Sequence, residues 1–276
     1  MSGERTMRNF ASLLMFALLL PMLNCGTGGL ITPLAPLPAP SSAPVSATPS
    51  LTGNWDIKAQ SAVTLRTMES GGLLENNGSQ ITGVLHVISA SCYQLLDIVP
   101  LTGKISTDSD SISLVTGSVG GQVLTLTGLM SADRKTLLGG TYSIAGGCSD
   151  GDHGTVAGFL VPPFTNVYTG TFTSLRNADI VNVTLSLTQS PTPDLTGFFR
   201  LTGIATSLNS PCFSGGTLSG LVIGSDIDLL LDTNDHAQLS LPGTLIDSSG
   251  KAITGRYQVL SGTCAGDSGT VMLTHD

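Results

Sequence analysis

Charge is scarce in this chain. Asp, Glu, Lys and Arg make up 11% of its 276 residues, where an average soluble domain carries about a quarter. The few Lys and Arg are scattered, and the formal net charge is −8. A phosphate backbone therefore has no electrostatic footprint to dock on, and nucleic acid is excluded as a partner. Glu does not occur after Glu75, and the aspartates fall in turns or on polar strand faces, which removes the paired carboxylates of a glycosidase. No Cys-x-x-Cys is present for dithiol redox chemistry, and no Gly-x-Ser-x-Gly elbow for a hydrolase. No apolar run reaches the roughly 20 residues of a membrane-spanning helix.

What is abundant is glycine, at 34 residues, with Thr, Ser, Val and Leu in alternation. Val181 to Thr188 alternates apolar and polar at every step. Asp226 to Asp232 places Ile227, Leu229 and Leu231 on one face and three aspartates on the other. Val123–Thr127 and Gln238–Leu241 follow the same rule. Period two marks half-buried antiparallel strands. Turn signals separate them at Asn76-Asn-Gly78, Gly120-Gly121, Asp133-Arg-Lys135, Thr233-Asn-Asp235 and Asp247-Ser-Ser-Gly250.

The chain also repeats itself. Leu51-Thr-Gly-Asn-Trp55 matches Tyr168-Thr-Gly-Thr-Phe172, and Ile81-Thr-Gly83 matches Leu195-Thr-Gly197. Cys92 matches Cys212, and Leu101-Thr-Gly103 matches Leu218-Ser-Gly220. Gly140-Thr-Tyr142 matches Gly255-Arg-Tyr257. Cys148, Gly151-Asp152 and Gly154-Thr-Val156 match Cys264, Gly266-Asp267 and Gly269-Thr-Val271. The order is kept throughout, so residues 51–163 and 166–276 are read as two copies of one domain, joined at Val161-Pro-Pro-Phe164. About eight short strands per copy fit an all-β fold of two tandem antiparallel meander barrels, with β-sandwiches as the alternative.

The N-terminus carries an address. Arg5 and Arg8 precede an apolar stretch, Phe10 to Leu23, that ends at Cys25-Gly26-Thr27-Gly28-Gly29. Its length suits a signal peptide. The pattern resembles the lipobox of bacterial lipoproteins, with Asn24 where that family has Gly or Ala. The resemblance implies removal of residues 1–24, a lipid on Cys25 and attachment to the cell envelope. Gly26 favours the outer membrane, and a secreted or periplasmic soluble protein is the alternative. Residues 25–50, rich in Pro, Ala and Ser, read as the lipidated cysteine and an extended spacer.

Five cysteines are present. If Cys25 is acylated, four remain for an oxidising compartment, and duplication pairs them within each copy as Cys92–Cys148 and Cys212–Cys264. The opening Gly-Asn-Trp55 resembles strand one of lipocalin-like and avidin-like barrels, where the ring closes the barrel base. That family's late Arg is missing, and the single Trp argues against biotin.

No catalytic, cofactor or metal set is expected. His86, His153, His236 and His275 have no shared ligand spacing and are expected on the surface or in turns. Asp150-Gly-Asp152-His153 and Gly266-Asp267 are expected to cap their own turns. Ser268, in Gly266-Asp-Ser-Gly269, lacks the rest of a serine-protease domain. Tyr142 and Tyr257 are expected to pack with hydroxyls at a barrel rim. The reading is a non-catalytic envelope module, held to the membrane through Cys25 and binding a small apolar ligand or an envelope protein. A structural or assembly protein of the cell surface is the alternative, and an enzyme of unrecognised type the third reading.

Overall fold

The computed structural model describes residues 50–276 except 91, 95, 96, 107, 195, 209–214, 246 and 247. Alternating side chains become strands as expected: in Ile180–Gln189, Val183, Leu185 and Leu187 are buried while their neighbours face outward. The first copy runs β1 (Gly53–Ser61), β2 (Thr67–Asn77), β3 (Gln80–Ser89), β4 (Ile98–Ile105), β5 (Ser111–Thr116), β6 (Val123–Met130), β7 (Thr136–Ala145) and β8 (His153–Leu160). The second runs β9 (Val167–Ser174), β10 (Ile180–Gln189), β11 (Phe199–Leu208), β12 (Gly215–Ile223), β13 (Asp226–Thr233), β14 (Gln238–Leu245), β15 (Ala252–Ser261) and β16 (Ser268–Thr274).

Each set of eight forms a closed antiparallel barrel in which sequence neighbours pair, and the first strand closes on the last. Closure leaves no unpaired sheet edge. Two tandem meander barrels, rather than sandwiches, are thus the architecture. Among the described residues no helix is long and apolar enough to cross a membrane.

Each barrel is filled from within. Leu74, Ile81, Leu85, Leu114 and Leu126 are at most 2% exposed in the first, as are Leu185, Leu201, Leu229, Leu231 and Leu239 in the second. Among the described residues, the space beside Leu229 and Ile253 is about 10 Å³, and that beside Tyr142 and Ile144 is about 20 Å³. That is room for about one water molecule. Small eight-stranded barrels commonly fill in this way.

Trp55 seals one end of the first barrel, its indole N–H donating to the Leu51 carbonyl at 2.7 Å. Arg134, expected as a simple turn residue, is buried at that end and pairs with Asp110 at 3.2 Å. The other end is cross-linked. Cys92, in the β3–β4 loop, is bonded to Cys148, in the 3₁₀ turn Gly147–Ser149 before β8, across 56 positions. The buried Gln122 amide donates to the Cys92 carbonyl at 3.0 Å.

Hydrogen-bond register corrects two of the repeat matches. Ala59 faces Val156 and Ser61 faces Gly154, while Phe172 faces Val271 and Ser174 faces Gly269. Tyr168, not Phe172, is therefore the sister of Trp55. The equivalence extends back to Leu51 and Phe164, whose N–H groups donate to Asn76 at 3.1 Å and Gln189 at 3.0 Å. Likewise Ile81-Thr-Gly83 lies on β3 as Leu201-Thr-Gly203 lies on β11. Leu195-Thr-Gly197 belongs to the β10–β11 connection, with 195 outside the described residues.

Candidate functional site: the junction between the barrels

Outward positions of a half-buried strand should meet water, yet on β1 to β3 several do not. Asn54, Asp56 and His86 are at most 3% exposed. The second barrel covers them with two connections, the tight Gly224-Ser225 turn between β12 and β13 and the loop between β10 and β11. The Asn54 side-chain amide donates to the Gly224 carbonyl at 2.7 Å, and its oxygen accepts the Gly224 N–H at 2.9 Å. This satisfies both backbone groups of a buried turn. Ser225 donates its hydroxyl to Asp56 at 2.7 Å.

Only glycine fits beneath this turn: a Cβ on Gly71 would stand 2.6 Å from the Gly224 Cα. Gly224 itself has φ +55, the left-handed region that glycine occupies without strain. Beside it His86 stacks on Phe198, ring centroids 4.1 Å apart. His86 was expected on the surface or in a turn; instead it is fully buried between the barrels.

The loop that presents Phe198 is organised by Asp194. Its carboxylate accepts the Thr196 hydroxyl and N–H, the Phe198 N–H and Arg200 at 3.1 Å. Those donors, Thr196 first, hold the Asp194 carboxyl below its usual range.

Burial pushes the Asp56 carboxyl above its ordinary value of 3.8; Ser225 and Lys58 pull it down, while Asp226 and Glu69 push it further up. A raised folded value means that its contribution is complete below 3.8 and is lost as pH rises through the folded value. Asp56→Asn keeps an acceptor for Ser225 without burying a charge. We expect this variant to match or exceed the wild type at neutral pH by on the order of 1 kcal/mol. Urea unfolding in mildly acidic and neutral buffer checks it: the advantage of the variant should vanish on acidification.

Next to this contact a cleft of about 780 Å³ opens, with walls from both barrels. Leu160, Val161, Pro162, Pro191 and Phe199 give it an apolar side. Thr52, Thr136, Gln189, Ser190, Asp133 and Lys135 give it a polar one. Ligand sites favour such domain interfaces, and this volume lies in their usual range.

Other residues singled out from the sequence are dispersed. Cys25 and Cys212 lie outside the described residues. Cys264 is disulfide-bonded. His153 and His236 are exposed, and His275 sits edge-on to Tyr168, 5.0 Å away. Among the described residues no three His, Cys, Asp or Glu side chains are placed to hold a metal. Ser268 begins β16.

The turn aspartates differ from expectation. Asp150 does cap its turn, accepting the Gly146 N–H at 2.7 Å. Asp152 reaches instead across the barrel rim, accepting Ser61 at 2.6 Å and the buried Tyr142 hydroxyl at 3.2 Å. Asp267 does the same with Ser174 at 2.8 Å and Tyr257 at 3.0 Å. These duplicated triads tie the end of the first strand to the last turn of each barrel, a structural task.

Burial raises Tyr93, Tyr142 and Tyr168 above the usual 10. Burial, and then the bond to Asp267 and its charge, push Tyr257 up to about 12. A near-ultraviolet titration should accordingly show all four phenols ionising late. The Tyr257 contribution to stability is complete below 10 and lost as pH climbs towards about 12. Asp267→Asn should bring one phenol back towards 10; a normal titration of the folded protein would contradict the triad.

No family model matches the chain, and no curated protein is similar to it in sequence. Among solved structures, a protein of unknown function from the DUF3598 family of Nostoc punctiforme is 15% identical. The likeness covers 80% of this chain and 94% of that one, with a TM-score of 0.24. At that level it carries no functional argument.

Proposed function

We propose that this is a lipid-anchored protein of the bacterial envelope that acts by binding rather than by catalysis, with its ligand seated in the cleft between the barrels. The observation that carries the binding half is the contrast between filled barrel interiors and the open cleft of about 780 Å³ beside the Gly224 turn. The apolar wall suits a small, partly apolar molecule, and Lys135 offers a cation at its rim. The lipobox-like segment ending at Cys25 supports the anchor, and residues 26–50 would form the tether.

Two measurements test this. Cells fed a fatty-acid analogue should label the wild type and not Cys25→Ala; label retained by the variant removes the anchor. Protein exposed to an envelope extract should carry small molecules detectable by native mass spectrometry, and Lys135→Trp, which sets a bulky ring at the cleft, should carry fewer of them. An empty wild type, or a variant that carries as many of the same molecules, removes the cleft.

A further inference from the structure

The fold builds the same depression twice and fills it once. On the first barrel it is bounded by Asp56, Lys58, Glu69, Gly71 and His86, and the turn at Gly224 sits in it. Register identifies the sisters of these residues on the second barrel. Thr169 faces Thr184 as Asp56 faces Gly71, Thr171 faces Asn182 as Lys58 faces Glu69, and Thr206 flanks Thr184 as His86 flanks Gly71.

Those five residues line an open depression of about 300 Å³. Every charged or aromatic member of the filled socket has become a neutral hydroxyl or amide. Gly71, which lets the turn in, has become Thr184. Among the described residues no hydrogen bond joins any of the five side chains to another protein group. The outward positions of β9, β10 and β16 continue the pattern with Thr173, Thr188, Thr270 and Thr274 and carry no charged side chain. Thr274, Thr169, Thr184 and Thr206 stand in one row across four adjacent strands.

We propose that this open sister socket binds an uncharged, hydroxyl-rich ligand, a neutral glycan. Hydroxyl and amide groups at strand spacing both donate and accept, which matches the mixed donors and acceptors of a sugar and offers no counter-charge to an ion. Exposed Met272 beside Thr171, and Val167 and Ile204 on the opposite side, add apolar contact for C–H faces. A second copy of the chain fits poorly. The first-barrel turn equivalent to Gly224-Ser225 carries Asp108 and Asp110, which a second copy would bring onto five neutral side chains; the cation on the neighbouring strand, Arg256, faces Thr270 outside those five. This site is separate from the cleft.

Full-length protein applied to an array of neutral glucans, mannans and galactans, beside sialylated and sulfated glycans, tests it. Neutral glycans should bind. Thr169→Val combined with Thr184→Val should weaken that binding about tenfold or more, through two lost hydrogen bonds, with circular dichroism and thermal midpoint unchanged. No neutral glycan bound, preference for anionic glycans, or binding indifferent to the Val pair would each overturn the proposal. So would a concentration-dependent dimer that the Val pair abolishes, which would assign the face to a second copy.

Discussion

Gly71→Val is expected to separate the two barrels while leaving each one closed. The new side chain would stand against the Gly224 backbone, and backbone cannot rotate away as a side chain can. Overpacking of this kind usually costs about 1–3 kcal/mol. Here it would also pull Gly224 from the Asn54 amide and Ser225 from Asp56. Each buried group left unmatched adds about 1–3 kcal/mol. The combined loss should reach at least about 3 kcal/mol, enough to uncouple the barrels. Calorimetry is the check: barrels that unfold together in the wild type should unfold in two steps in the variant. A single unshifted transition would mean that the turn does not hold the barrels together. The same change at the sister position, Thr184→Val, should leave stability within about 0.5 kcal/mol, because among the described residues no turn is seated in that socket.

Removing the Cys92–Cys148 bond is expected to destabilise the first barrel by about 4 kcal/mol, as loop-closure entropy predicts for a bridge of this span. In a domain of this size that corresponds to a fall of roughly 15 °C or more in the midpoint. Cys92→Ser with Cys148→Ser, followed by thermal melting, measures it, and the first barrel should then melt before the second. A fall equivalent to less than about 1 kcal/mol would show that the Gln122 contact alone closes this end.

The architecture was legible because period-two alternation and glycine-marked turns act locally. Gly78, Gly120 and Gly250 do take left-handed turns where the sequence placed them, with φ between +60 and +72. Cysteine position sufficed for the Cys92–Cys148 pair, since a duplicated unit must close on itself. The alignment of the copies was less legible. Leu-Thr-Gly occurs at 51, 101, 126, 195 and 201, so the tripeptide does not say which strand it marks. Register, set by ladder hydrogen bonds, assigns Tyr168 to Trp55 and Leu201 to Ile81.

The junction escaped the sequence for a related reason. Asn54, Asp56 and His86 occupy outward positions, and alternation assigns those to solvent whatever covers them later. A signal did exist in the comparison of copies. Where one has Asp56, Gly71 and His86, the other has Thr169, Thr184 and Thr206, a contrast visible only once the register is known.

Residual dipolar couplings from both barrels in one weakly aligned sample test the central claim most directly, that a turn of the second barrel plugged into the side of the first makes the pair one rigid body. Couplings from strands β1–β8 and β9–β16 should fit a single alignment tensor in the wild type and two different ones in Gly71→Val. Two tensors in the wild type would contradict the account.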